Sequence, residues 1–312
     1  MFDKVVNDET ALVITDYDLT AGGQTGLFGS TIVDWCNRKL IPVGDYSRAN
    51  KVNLPKEPNQ YEIRVPQDTA KAGQFIISVF DGFTAIQTAL ISKWDVLEKK
   101  SSPAAILADI LGRPLEESRL ALYGVKIGAP NLSLMDSISK NQNVQAEKQR
   151  FIAYLLGHLL LNVILRFPGP IVDCRSLAAF LAIAESELPQ IQKQFEKALY
   201  TGPFGTTESL YWVSDVEEIL ESMQNGVEAV AGASVGKLNR LILEHALKKA
   251  FERHDCPRCQ GDEGGFICAF TRRTICQRND CSVASNAWIP QGARLCRIEK
   301  TYYDEWAPIL GF

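Results

Sequence analysis

Four cysteines near the C-terminal end have the spacing of a metal site. Cys256 and Cys259 bracket a Cys-Pro-Arg-Cys turn, and after sixteen intervening residues Cys276 and Cys281 bracket a second turn. Two short turns facing each other can supply four thiolates, a tetrahedron around Zn²⁺ at about 2.3 Å. Four sulfurs fill that coordination sphere and leave no position for water or substrate, so the chemistry is structural and not catalytic. Four residues separate the second pair, where two are commoner. That spacing leaves the ligand set open, with Cys268, Cys296 and His254 as substitutes. The alternative is a small metal-free core of reduced thiols. The segment is rich in glycine and charge, and a module this small hardly buries enough apolar surface to fold without a staple. Metal therefore explains the cysteines better than packing does.

The layout, with the glycine-turned "GGFICAF" between the pairs, resembles a zinc ribbon. Its surroundings are basic. From Lys248 to Lys300 there are ten lysines and arginines against six carboxylates, a net of +4. Arg272, Arg273 and Arg278 are candidates to meet phosphates, or form an ordinary solvated charged turn.

A second chemistry is written near the start. "LVITDYDLTAGG" places Asp16, Asp18 and Thr20 after an apolar run. D-x-D-x-T at a strand end resembles the opening motif of HAD-like, Mg²⁺-dependent phosphohydrolases. The resemblance implies Asp16 as phosphoryl-accepting nucleophile, Asp18 as general acid/base, and Thr20 ordering the loop. It also requires a lysine and a late acidic pair to complete a Mg²⁺ site. Gly44-Asp45 comes too early and lacks the second acid, Asp81 stands alone, and Asp215 with Glu218 falls inside what reads as the winged-helix hairpin. No strand–helix alternation for a Rossmann-like sheet is read there. "GGQTGLFGST" lacks the lysine of a phosphate-binding P-loop. The three histidines, His158, His245 and His254, form no nucleophile triad, and "ERHDCPRC" lacks the other histidines of an HNH nuclease. His158 lies in an apolar run and reads as a core residue.

The elements that must position these groups read as a multi-domain α+β chain. Residues 1–98 form an α+β domain of unknown role, with "ALVIT", "YEIRVPQ" and "QFIISVFDG" as strands and "STIVDWCNRKL" as a helix. A helical connector, 99–144, opens at Ser102-Pro103. Residues 145–225 run helix, strand, helix, turn, helix, hairpin, an order that resembles a winged helix-turn-helix. Its first helix is 145–166, whose apolar 151–165 stretch is too short for a bilayer and reads as core. Residues 226–253 supply a linking helix, and 254–312 the zinc-ribbon-like module. In the expected recognition helix, Gln190, Gln192 and Gln194 can reach base edges, and Lys193 is a further candidate for nucleic-acid contact. The helix has no net charge, and the wing carries Glu208 and no lysine or arginine. That balance favours protein docking over DNA readout for this domain.

Composition bounds the rest. The 312 residues are 46% hydrophobic and 22% charged, which suits globular domains. The net charge of −4 argues against whole-surface attraction to nucleic acid. No basic-then-apolar leader opens the chain, so a cytoplasmic location with reduced thiols is expected. Together these features suggest a non-enzymatic adaptor subunit of a nucleic-acid-handling complex, of the transcription, transposition or defence kind. Its expected partners are protein subunits, with DNA or RNA as candidates and no membrane. A purely protein-docking scaffold and the phosphohydrolase are the alternatives.

Overall fold

The computed structural model describes residues 10–15, 29–46, 63–124, 144–205, 207–227, 234–254, 256–261, 265–285 and 288–310. Helix and sheet are mixed. Contacts divide the chain into two compact units, Met1–Val163 with Gly202–Thr207, and Ile164–Thr201 with Glu208–Phe312. The boundary falls inside the 145–225 stretch.

The first unit opens with strand β1 (Val13–Thr15), helix α1 (Gly29–Arg38) and strand β2 (Val43–Asp45), followed by β3 (Ile63–Arg64). The three strands pair in parallel in the order β1-β2-β3, with Thr15 level with Asp45 and Asp45 level with Arg64. This β-α-β unit corrects the expectation that strand–helix alternation is absent. The strands are only two or three residues long, too short to show a period in the sequence. Val13, Ile32, Val33 and Trp35 pack on buried Cys36, Ile41 and Val43.

"QFIISVFDG" is not a strand. It lies inside α2 (Thr69–Ser92), a 24-residue helix whose N-cap, Asp68, accepts a hydrogen bond from Ala70 N at 2.9 Å. Its β-branched and aromatic residues favour a strand locally. The buried positions Ala72, Val79, Phe83, Ile86 and Leu90 recur at helical spacing over a longer window, and that pattern wins. Short helices α3 (Trp94–Leu97), α4 (Pro103–Ile110) and α5 (Glu117–Ala121) follow. Ser102 caps α4 as expected, accepting from Ala105 N at 3.1 Å.

Helix α6 (Val144–Leu159) continues into a π turn, Leu160–Ile164, and packs on α2. The contact is interlocked. A Cβ on Gly157 would overlap the ring of Phe83, and a Cβ on Gly82 would overlap the ring of Phe204. The rings form an edge-to-face series: Phe204 to Phe83 at 5.3 Å, Phe83 to His158 at 5.1 Å, and His158 to Tyr154 at 4.5 Å. Tyr154 donates to Asn37 Oδ1 at 2.9 Å, and His158 Nδ1 lies 3.2 Å from Asn162 Nδ2. By length and mean hydropathy α2 alone, among the described residues, is fit to cross a membrane. One face of it packs into the notches of α6, and about a third of its apolar window is buried.

The second unit begins with β4 (Ile171–Asp173) and α7 (Cys174–Phe180), capped by Asp173, which accepts from Ser176 N at 2.8 Å. A 3₁₀ turn, α8 (Leu188–Ile191) and a further 3₁₀ segment, Gln192–Ala198, lead to β5 (Leu210–Trp212). β5 pairs antiparallel with β4, and Leu199 bridges Tyr211. Helices α9 (Val213–Met223) and α10 (Val235–Leu247) close over a core that includes Leu177, Leu181, Phe195, Tyr211, Val216 and Leu243. The chain ends in a sheet of order β7-β6-β9-β8 and helix α11 (Lys300–Leu310). Its strands are β6 (Phe266–Cys268), β7 (Thr274–Ile275), β8 (Ser282–Val283) and β9 (Cys296–Glu299). β6 contacts α7, so the cysteine module and these helices share one unit.

Candidate metal centre

α10 ends at Lys248 in the left-handed region, a helix stop without glycine. The chain then runs beside Ala182–Ala184. Ala184 N donates to Glu252 O at 2.8 Å and His254 N to Ala182 O at 3.2 Å. This fixes where Cys256 starts. Cys256 O accepts from Gln260 N at 2.8 Å, and Gln260 takes φ 53° to close the first turn. The second turn sits between β7 and β8, with Cys281 N donating to Arg278 O at 2.8 Å. Ser282 Oγ donates to Cys276 O at 2.5 Å, and Arg297 Nε donates to Ser282 Oγ at 2.6 Å. Arg297, held in β9, thus braces the second turn from behind. Neither Ser282 nor Arg297 was legible as a support, because the pairing of β8 with β9 is what brings them together.

The turns converge. The Sγ atoms of Cys256, Cys259, Cys276 and Cys281 all lie within 4.8 Å of one another. Cys259 and Cys276 are 3.6 Å apart, close to the ~3.8 Å edge of a tetrahedron with ~2.3 Å metal–sulfur bonds. Cys256, Cys276 and Cys281 are buried and Cys259 is half-buried. Burial pushes the Cys256 thiol up, but backbone N–H groups of Cys259, Arg258 and Cys276 outweigh it and leave the group at about 7. Burial raises Cys276 to about 11 and Cys281 further. Buried thiols alone resist ionising together, and a bound cation removes that penalty. A Cβ on Gly261 would lie 3.2 Å from Cys259 Sγ and 3.6 Å from the Arg278 guanidinium carbon. The arginine therefore lies over the first turn, where its charge opposes that of a tetrathiolate site.

The substitute ligands stand elsewhere. Cys268 and Cys296 belong to β6 and β9, and Cys268 Sγ accepts N–H groups of Thr271 at 3.4 Å and Glu299 at 3.3 Å. His254 is buried and outside the four-sulfur group.

Two of the three arginines expected at phosphates, Arg272 and Arg273, face carboxylates. Arg272 pairs with Asp173, and Arg175 Nη1 donates to Arg272 O at 3.2 Å. Arg273 lies 3.3 Å from Glu299, whose other oxygen accepts from Thr271 Oγ1 at 2.9 Å. Gln190 donates to Glu187 at 3.0 Å, and Lys249 bonds both. Lys193 and Gln194 are exposed. They lie in a 3₁₀ segment with a break at Phe195 and not in one continuous α-helix. Buried Ile191, Phe195 and Ala198 draw this segment tight against the core.

Asp16 and Asp18 lie outside the described residues, directly after β1. A cavity of about 280 Å³ touches Thr10, Pro42, Thr84, Gln87, Arg150 and Tyr154. It lies at the N-terminal ends of β1 and β2, opposite the carboxyl ends where parallel sheets bind ligands. The chain matches no protein-family model, no curated protein and no solved structure.

Proposed function

We propose that the chain is a non-enzymatic adaptor subunit of a nucleic-acid-handling complex, with a C-terminal unit organised by one structural Zn²⁺. The observation that carries this reading is the convergence of four sulfurs from two braced turns. Such a set is closed to substrate and suits a folding staple. The β4–α7–α8–β5 arrangement with its Leu199 bridge supports a winged-helix-like domain, and the sheet around the sulfurs a ribbon-like one. The carboxylate partners of Arg272 and Arg273 favour protein docking over phosphate contact as the role of this surface. Pull-down from the native host identifies the partner. Fluorescence anisotropy with duplex DNA, single-stranded DNA and RNA at low and high salt tests the other arm. Salt-dependent binding that weakens on Arg272→Ala with Arg273→Ala overturns the docking preference, and absence of zinc from reduced, purified protein overturns the staple.

A second reading draws on one observation. The parallel β-α-β unit runs β1 directly into Asp16, as a phosphohydrolase requires. Mg²⁺-dependent phosphate release, lost on Asp16→Asn, would establish it in place of the adaptor.

A further inference from the structure

The four sulfurs are not equally sheltered. Cys256 and Cys276 are 0% exposed and Cys281 2%, while Cys259 is half-buried. Backbone N–H groups of Arg258 and Cys259 also point at Cys256 Sγ, and hydrogen bonds that stabilise a thiolate lower its nucleophilicity. A glycine is what leaves Cys259 open. A Cβ on Gly261 would lie 3.2 Å from Cys259 Sγ and 3.6 Å from Arg278 Nη2. Gly261 lies outside the left-handed region, so its backbone does not demand glycine. The missing side chain leaves a notch with a sulfur on one wall and a guanidinium on the other. Arg278 is itself exposed, which puts the notch at the surface.

We propose that Cys259 is a site of oxidation by hydrogen peroxide, and that Cys276 resolves it as a disulfide between the two turns. This rests on the four-sulfur zinc reading above, because coordination holds the cysteine as the reactive thiolate. Peroxide is small enough to enter a notch the size of a methyl group. The Cys259 thiolate attacks one peroxide oxygen, the O–O bond breaks, hydroxide leaves and a sulfenic acid remains. Arg278 offsets the negative charge that builds on the departing oxygen. Cys276 Sγ, 3.6 Å from Cys259 Sγ, then attacks the sulfenic sulfur. The S–O bond breaks, the S–S bond forms and a second hydroxide leaves. Both hydroxides take protons from solvent, and two electrons pass from the pair of sulfurs to the peroxide. Closing 3.6 Å to the ~2.05 Å of the bond takes a movement of about 1.5 Å. Cys256 and Cys281 are then the only thiolates left of the set, too few to retain the ion. Such an ion supplies folding free energy, so oxidation loosens the C-terminal module.

The full chain is purified under reductant and its zinc is measured before oxidant is added. A chromophoric chelator then reads zinc release in excess peroxide, dimedone traps the sulfenic acid, and peptide mapping without reduction reads the disulfide. Zinc leaves in step with a Cys259–Cys276 disulfide, the dimedone label falls on Cys259, and reduction with added Zn²⁺ reverses the change. Gly261→Ala covers the sulfur without removing a ligand and slows release on the order of fivefold. Arg278→Gln slows it severalfold, and if Gly261→Ala fails to load zinc, this variant and the wild-type map decide. A chain without zinc at the outset overturns the staple and this proposal together. A zinc-loaded chain overturns this proposal alone if peroxide leaves its ion in place, if the label or the disulfide falls on other cysteines, or if the variants release zinc at the wild-type rate.

Discussion

Gly82 and Phe204 give a test in which the sign of one substitution depends on the other residue. Phe204 is 6% exposed and its ring fills the place where a side chain on Gly82 would begin. Truncating a buried phenylalanine to alanine costs about 3–5 kcal/mol, so Phe204→Ala is expected near 3 kcal/mol. Gly82→Ala in an open helix would stabilise by about 1 kcal/mol through propensity. Here the new methyl evicts the ring, and the net effect is a loss of about 2 kcal/mol. In the Phe204→Ala background the seat is empty, and the same Gly82→Ala change recovers about 1 kcal/mol. The coupling is therefore about 3 kcal/mol, large for a pair of residues. Urea denaturation of the four proteins, followed by circular dichroism, measures it. If Gly82→Ala has the same sign and size in both backgrounds, the ring does not sit on Gly82 and the interlocking of 202–207 with α2 is wrong.

Three further outcomes are expected. One zinc per chain copurifies and is lost on Cys276→Ser; elemental analysis reads this, and chelation shifts the C-terminal amides to fast exchange. Arg272→Ala leaves the Asp173 cap without its cation and lowers stability by about 1–2 kcal/mol, which thermal unfolding detects; an unchanged midpoint makes the pair an idle surface contact. Burial raises Cys36 from 9.0 to about 11, so the fold favours the protonated thiol. The stability this contributes is full below pH 9 and is lost as pH rises through 11, by at most about 3 kcal/mol. The difference in stability between wild type and Cys36→Ala, followed from pH 8 to 11, should shrink by that amount.

The metal centre was legible because its information is local. Two close-spaced cysteine pairs and the turns between them nearly determine a four-sulfur cluster, and the structure brings together the four named. The helix cap at Ser102 is equally local. The stop after α10 is not: the sequence reads as a linking helix to residue 253, and the helix ends at Leu247 because Lys248 turns left-handed with no glycine to mark the place. Short parallel strands are different. β1 and β2 hold three residues each, and their pairing across about thirty residues leaves no periodic trace. "QFIISVFDG" was misread because strand propensity in nine residues outweighed the helical spacing of twenty-four. Tertiary structure also decided what the arginines do. Arg272 and Asp173 are ninety-nine residues apart in the chain, and Arg273 and Glu299 twenty-six. Net charge along a segment reports attraction to phosphate only while its cations lack nearby carboxylates, and folding supplied them. Residue type and short spacing thus determined which groups can share an ion; long-range pairing decided which charges are already neutralised.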